Sequence, residues 1–235
     1  MRRRVLLSRV VPLCLSLWVA GCDDDPPPTG SEAPSTTTAP TTVARAFLRG
    51  AQLIEDARRV DLVVNGATLA TGIGYRGFSS YGQLDPGEYR VQFFPEGDRA
   101  AALIETRITL VSNQAVTIAV VGLSLSTLTV NDERSTRSDR SRLKMVNAVP
   151  DFPAPFDLVI ENGPGLLGGI AYLQTSGIAE LIPGVYGFEL RRGGTAEELA
   201  GISGQTLSAG ANYTVYAVGT LTRDDIEILV TRDSL

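Results

Sequence analysis

From residue 43 to the end of the chain, short runs alternate between apolar and polar positions. Tyr89, Val91 and Phe93 alternate with Arg90 and Gln92, and Tyr186, Phe188 and Leu190 alternate with Gly187 and Glu189. Val116, Ile118 and Val120 keep the same period of two, as do Ile226, Ile228 and Val230. A period of two puts one set of side chains on one face of a strand and leaves the opposite face in water. Gly, Pro, Asn and Asp interrupt these runs every eight to twelve residues, which predicts about seven short strands in each half of this region. No long window carries a helical period; the nearest, Thr195–Ala200, is too short to hold a helix. Short strands with one buried face pack best as two facing sheets.

The strand pattern occurs twice. Shifted by 97 positions, Asn65–Gly122 aligns without gaps on Asn162–Gly219, and 17 of the 58 aligned residues are identical. Leu84, Pro86, Gly87 and Tyr89 return as Leu181, Pro183, Gly184 and Tyr186, and Thr117, Val121 and Gly122 return as Thr214, Val218 and Gly219. A repeat this long predicts a tandem of independent domains rather than a solenoid. The expected fold is therefore all-β: two tandem antiparallel β-sandwiches, immunoglobulin-like or transthyretin-like, over residues 43–131 and 142–235. The wholly polar stretch 132–141 is expected to be a linker. In the repeated turn, Pro presets φ, Gly accepts a left-handed backbone and Tyr opens the next strand, so Pro86, Gly87, Tyr89, Pro183, Gly184 and Tyr186 form a structural turn motif. The Tyr hydroxyl is expected to return to a backbone group, as in the tyrosine corner of sandwiches.

The first 42 residues have a different character. Arg2, Arg3, Arg4 and Arg9 precede the apolar run Val10–Ala20, which is shorter than the roughly 20 residues that span a bilayer. The run ends Val19-Ala20-Gly21-Cys22, which resembles a bacterial lipobox. Residues 1–21 thus read as a lipoprotein signal peptide cleaved between Gly21 and Cys22, with Cys22 lipidated. Residues 22–42, rich in Pro, Thr and Asp, read as an extended tether. Two or three acyl chains on Cys22 would hold the protein stably to a membrane. The expected location is the bacterial envelope, at the inner or outer membrane, in the periplasm or facing the outside.

Composition narrows the chemistry. The chain has no His, a single Lys (Lys144) and two Cys, of which Cys14 would leave with the signal. Without His, serine-triad, Cys/His and His-metal chemistries are unsupported. The net charge is −5 and becomes about −9 once the arginine-rich signal is removed, which disfavours nucleic acid as a partner. No cofactor or metal is expected. Gly163-Pro164-Gly165-Leu166-Leu167-Gly168 fits a dinucleotide-binding spacing, but no helix follows and the first copy lacks it, so it reads as a Gly-rich loop. Asp61 and Asp157 open equivalent strands and Asp151 lies in a nearby loop, where short acids usually cap turn amides.

The second copy resembles the bacterial extracytoplasmic family called domain of unknown function 4397. The resemblance rests on Asn147–Pro153, Asp157-Leu158-Val159, Pro183–Tyr186 and Tyr213–Leu221. The first copy matches it through Val60–Gly66 and Asp85–Val91. The family usually carries a His in its first strand; this chain has Asn147 there, and the alignment puts Gly50 at that place in the first copy. The resemblance implies a secreted or surface β-rich domain with no established activity. The leading expectation is a non-catalytic, lipid-anchored envelope protein whose tandem sandwiches bind or display, with an unknown protein or glycan as partner. The alternative is a carboxylate-dependent hydrolase acting on envelope polysaccharide, which requires an acidic pair in a cleft with one raised pKa.

Overall fold

A computed structural model describes residues 44–55, 57–134 and 136–233. The signal, Cys22 with its cleavage site after Gly21, and the tether lie outside the described residues. Among the described residues the regular secondary structure is all β-strand. The first copy contains β1 (Ala46–Gln52), β2 (Val60–Val64), β3 (Ala67–Ile73), β4 (Gly77–Phe78), β5 (Gly82–Leu84), β6 (Gly87–Pro95), β7 (Ile104–Leu110), β8 (Ala115–Val121) and β9 (Ser126–Asp132). The second contains β10 (Ser141–Asn147), β11 (Phe156–Ile160), β12 (Gly165–Ile170), β13 (Ala179–Leu181), β14 (Gly184–Arg192), β15 (Glu198–Leu207), β16 (Asn212–Val218) and β17 (Glu227–Arg232).

Each copy is two sheets. In the first, β3-β2-β6-β7 faces a sheet of order β4-β1-β8-β9, with β5 also paired to β1; in the second, β12-β11-β14-β15 faces β13-β10-β16-β17. The pairing departs from a purely antiparallel scheme at two equivalent places. β1 runs parallel to β8, with Leu48 opposite Val116, and β10 runs parallel to β16, with Leu143 opposite Tyr213. The first strand of each copy thus joins the sheet beside a late strand, a long-range pairing that periodicity cannot register.

Leu62, Phe93 and Ile118 fill the first sandwich, and Phe156, Phe188 and Leu190 fill the second; all six are fully buried. Each such side chain contributes about 1.5–3 kcal/mol by leaving water. Gly50 leaves room for this packing: a Cβ there would lie 2.9 Å from the end of Leu62 and 3.1 Å from the end of Ile73, so both side chains would have to shift.

The two copies do not behave as independent domains. A third core joins them, made by Ala51, Ala119, Val121, Leu128 and Val130 of the first copy and Val146, Ala148, Tyr216 and Val218 of the second. The inner sheets β4-β1-β8-β9 and β13-β10-β16-β17 pack face to face, so the described residues form four stacked β layers within one compact unit. This overturns the expectation of a wet outer face. Every residue of β8 and of β16 is buried, because the side opposite Val116, Ile118 and Val120 meets the other copy. Alanines at 51, 119 and 148 let the backbones approach, and Phe78 packs on Tyr216 at 5.2 Å between ring centres. Of the polar stretch 132–141, Asp132 closes β9 and Ser141 opens β10 and both are buried, while the described residues between them are exposed or half-buried.

Candidate functional site

The shared core contains buried charge. Arg49 on β1, Thr117 on β8 and Asp132 at the end of β9 have equivalents in Lys144 on β10, Thr214 on β16 and Asp233 after β17. Arg49 Nη2 reaches Asp233 Oδ1 of the other copy at 2.8 Å, while its Nε donates to Thr117 at 2.7 Å. Lys144 Nζ lies 3.4 Å from Asp132 Oδ1 and 3.9 Å from Asp233 Oδ2, and Thr214 donates to Asp233 at 2.8 Å. Tyr81 donates to Asp132 at 2.7 Å and lies under the Arg49 guanidinium. Burial pushes the Asp233 carboxyl above its ordinary range, and the Asp132 charge adds to that, against the opposing pull of Lys144. Two cations and two carboxylates therefore cross-pair between copies in approximate twofold symmetry. A buried group of this kind contributes little net stability but rejects any pairing that leaves a charge alone. The cluster uses the chain's only Lys.

The acids singled out in the sequence serve the backbone. Asp61 accepts from the Gly72 amide at 2.9 Å and the Gly97 amide at 3.1 Å; Asp157 accepts from Gly169 at 2.7 Å and Gly194 at 2.8 Å. The two acids tie together equivalent turns of the outer sheets. Asp151 accepts from the amides of Leu221 and Thr222 at 2.8 and 2.9 Å and from the Thr222 hydroxyl at 2.6 Å. Burial pulls its carboxyl upward, but these hydrogen bonds outweigh that and hold it below the ordinary value. Tyr89 and Tyr186 each donate to the carbonyl four residues back, at Asp85 and Ile182, both at 2.7 Å. The Gly163–Gly168 stretch forms a turn and the start of β12. Strand register corrects one alignment: Gln52 faces Val120 where Asn147 faces Ala217, so Gln52, not Gly50, is the counterpart of Asn147. Both are buried amides that accept the backbone N–H two residues on, at Ile54 and Val149.

Sequence reasoning missed the site at the far ends of β1 and β8. There an apolar pocket of about 290 Å³ opens between the copies. Leu53, Ile54 and Leu123 of the first copy and Pro150 of the second form its walls; Glu55, Thr222 and Arg223 give it polar edges. Its floor includes the repeated Gly122 and Gly219. Gly219 has φ +92°, and a Cβ on it would collide with the Asp225 carbonyl oxygen. Leu123 is 70% exposed, and Leu103, Leu125 and Leu221 are exposed on loops at the same end. A second apolar pocket of about 210 Å³ shares Ile54 and is bordered by Leu103 and Leu125.

Glu55 at the pocket edge and Asp225, which packs against Gly219, come from different copies. Asp225 Oδ1 accepts from the Thr220 amide at 2.6 Å, and Glu55 Oε2 lies 3.1 Å from Arg223 Nη1. The neighbouring Asp225 carboxyl, together with burial, raises Glu55 above its ordinary value, while Glu55 and the hydrogen bonds from Thr220 hold Asp225 below its own against burial. Neither acid lies in the repeated segments, so the only sequence signal was their position in loops following equivalent first and late strands. Among the described residues, no group of three or more Cys, Asp or Glu side chains could hold a metal ion.

The architecture defines a class: a tandem β-sandwich protein with a core shared between its copies and a loop-end pocket built by both. The chain belongs to the family described as Domain of unknown function (DUF4397), whose model matches residues 46–158 and again 143–235. No curated protein matches the chain in sequence. Among solved structures, the chain is similar to the Bacillus anthracis TIE protein at 12% identity and TM-score 0.26, covering 75% of this chain and 34% of that one. It thus spans about a third of that protein's length. It is also similar to CBMbc (family CBM26) of Eubacterium rectale Amy13K, crystallised with maltoheptaose, at 10% identity and TM-score 0.26, covering 80% of this chain and 98% of that one.

Proposed function

We propose that the protein is a non-catalytic, lipid-anchored envelope module that binds a partner through the loop end of its double sandwich. The pocket between the copies carries this reading. Clefts at domain boundaries with apolar walls and a few polar edges are the usual form of a binding site, and loops on a rigid scaffold present contacts well. β1 enters the structure at the opposite end, roughly 20 Å away by its length as a strand. Photo-crosslinking from position 123 in the intact envelope tests the binding role: a discrete adduct, lost on Leu123→Arg, is expected, and no adduct in any growth condition would refute it. Labelled palmitate should enter the wild-type chain and fail to enter Cys22→Ala.

The hydrolase alternative draws on Glu55 and Asp225, an acidic pair beside a pocket with one raised pKa. Glycosidic carboxyls stand about 5–9.5 Å apart to admit the sugar or a water. Here Glu55 is ion-paired to Arg223 at 3.1 Å and Asp225 accepts from the Thr220 amide at 2.6 Å, which favours binding over hydrolysis.

A further inference from the structure

We infer that the first copy's sandwich stands open at its loop end to receive an aromatic side chain from a partner protein; this rests on the binding role proposed above and names the chemistry of the contact. The second copy shows what fills the equivalent place. Its segment between β10 and β11 carries Phe152, which is buried, with its ring 4.7 Å from that of Phe156 and 5.0 Å from the Arg192 guanidinium. The Phe152 ring is part of the second sandwich's core. The corresponding segment of the first copy, between β1 and β2, reads Leu53-Ile54-Glu55-Asp56-Ala57-Arg58-Arg59 and contains no ring.

The apolar pocket of about 210 Å³ lies where that ring is missing. Val60 faces Pro95 as Phe156 faces Arg192, and Gln52 faces Val120 as Asn147 faces Ala217. Val60, Pro95, Gln52 and Val120 all line the pocket, and Ala57 borders it from the loop. The pocket thus sits between the counterparts of the two residues that hold the Phe152 ring. An aliphatic cavity of about 150 Å³ holds benzene, so this space admits a benzyl group. Leu103 and Leu125 at its rim are exposed, whereas Leu199, the counterpart of Leu103 by register, packs against the filled core of the second copy. Arg58, also at the edge, can cover a ring as Arg192 covers Phe152. Aromatic side chains seated in pockets of this kind are common anchors of protein contacts. The pocket shares Ile54 with the pocket between the copies, so one protein surface could cover both. Every Phe and Tyr among the described residues is buried or half-buried, so a second copy of this chain presents no exposed ring from them.

NMR titration of the methyl-labelled full chain in detergent with the N-acetyl methylamides of phenylalanine, leucine and alanine tests the inference. The phenylalanine amide should bind roughly tenfold more tightly than the alanine amide, the scale of burying most of a phenyl ring, and more tightly than the leucine amide. Its ring current should move the methyl signals of Leu103 and Leu125 and leave those of Val185, exposed on β14, in place. Leu125→Asp puts a charge at the rim from an exposed, left-handed position that Asp tolerates, so it should abolish binding without lowering the Tm. Ala57→Phe should supply the plug from within the chain and abolish binding as well. Wild-type binding of the phenylalanine amide retained in both variants would overturn the assignment. Equal binding of the phenylalanine and leucine amides would overturn the choice of an aromatic group. Absence of binding by all three amides would overturn the pocket as a receptor; an adduct from position 123 would then still uphold the partner-binding role, and its absence would remove that role separately.

Discussion

At the residue scale, the polar side chains with the most consequence are those whose partners lie far away in sequence. Asp151 joins the loop after β10 to the loop after β16 across 70 residues. Its carboxyl is held below the ordinary value of 3.8, so the folded state binds the proton less well than the unfolded chain. Its contribution is complete well above that value and is lost as the pH falls through the lowered folded pKa. Asp151→Asn should cost about 1 kcal/mol at neutral pH. Denaturant melts taken from pH 7 down to pH 3 should show the gap between mutant and wild type closing at the acid end. Arg49 is a harsher case. Removing it leaves Asp132 and Asp233 buried with only Lys144 between them. Arg49→Met should cost about 3–5 kcal/mol, and adding Asp233→Asn should recover part of that, as a double-mutant cycle would measure. The tyrosine corners of Tyr89 and Tyr186 were legible from sequence because they are local, with hydroxyl and acceptor four residues apart, whereas the left-handed glycine expected beside them is not found at Gly184.

At the element scale, alternation located the strands and named one face of each correctly. Val91 and Phe93 of β6 and Phe188 and Leu190 of β14 are buried as the period of two requires. The inner strands exceed the pattern. β8 and β16 are buried on both faces, although they contain Thr117 and Thr214 and so do not read as continuous apolar runs. Those threonines are bonded within the shared core, which is why polar letters could mark a dry face. The consequence is measurable. Val218→Asp should cost more than 3 kcal/mol by burying a charge without a partner, whereas the same change at Val111, exposed in the turn after β7, should stay within about 0.5 kcal/mol. Urea denaturation of the two variants checks both figures.

At the scale of the whole molecule, the two copies meet as a homodimer would, by equivalent faces with equivalent charges crossing the interface. Cut free at residue 136, the second copy would expose Val146, Ala148, Tyr216 and Val218. It would also expose a cation, Lys144, and an anion, Asp233, placed to satisfy each other in a second molecule. A fragment of residues 136–233 should therefore run as a dimer by light scattering, and Tyr216→Glu in that fragment should return it to a monomer. A wild-type fragment that is monomeric and folded would show that the linkage between copies, rather than the complementarity of their faces, holds the full chain together.

The sequence by itself determined the strand content, the duplication, the turn chemistry and the family, because each depends on residues within a few positions of one another or on comparison of like with like. Tertiary structure alone decided that the copies share a core, that Arg49, Asp132, Lys144 and Asp233 are buried together, and that Glu55 meets Asp225 beside a pocket. Arg49 and Asp233 are 184 positions apart, and even Asp132 and Lys144, 12 apart, sit in different copies and meet only across the shared core. A one-dimensional pattern records which side of a strand is apolar, but the second buried face depends on what arrives against it, and that is fixed only when the layers stack.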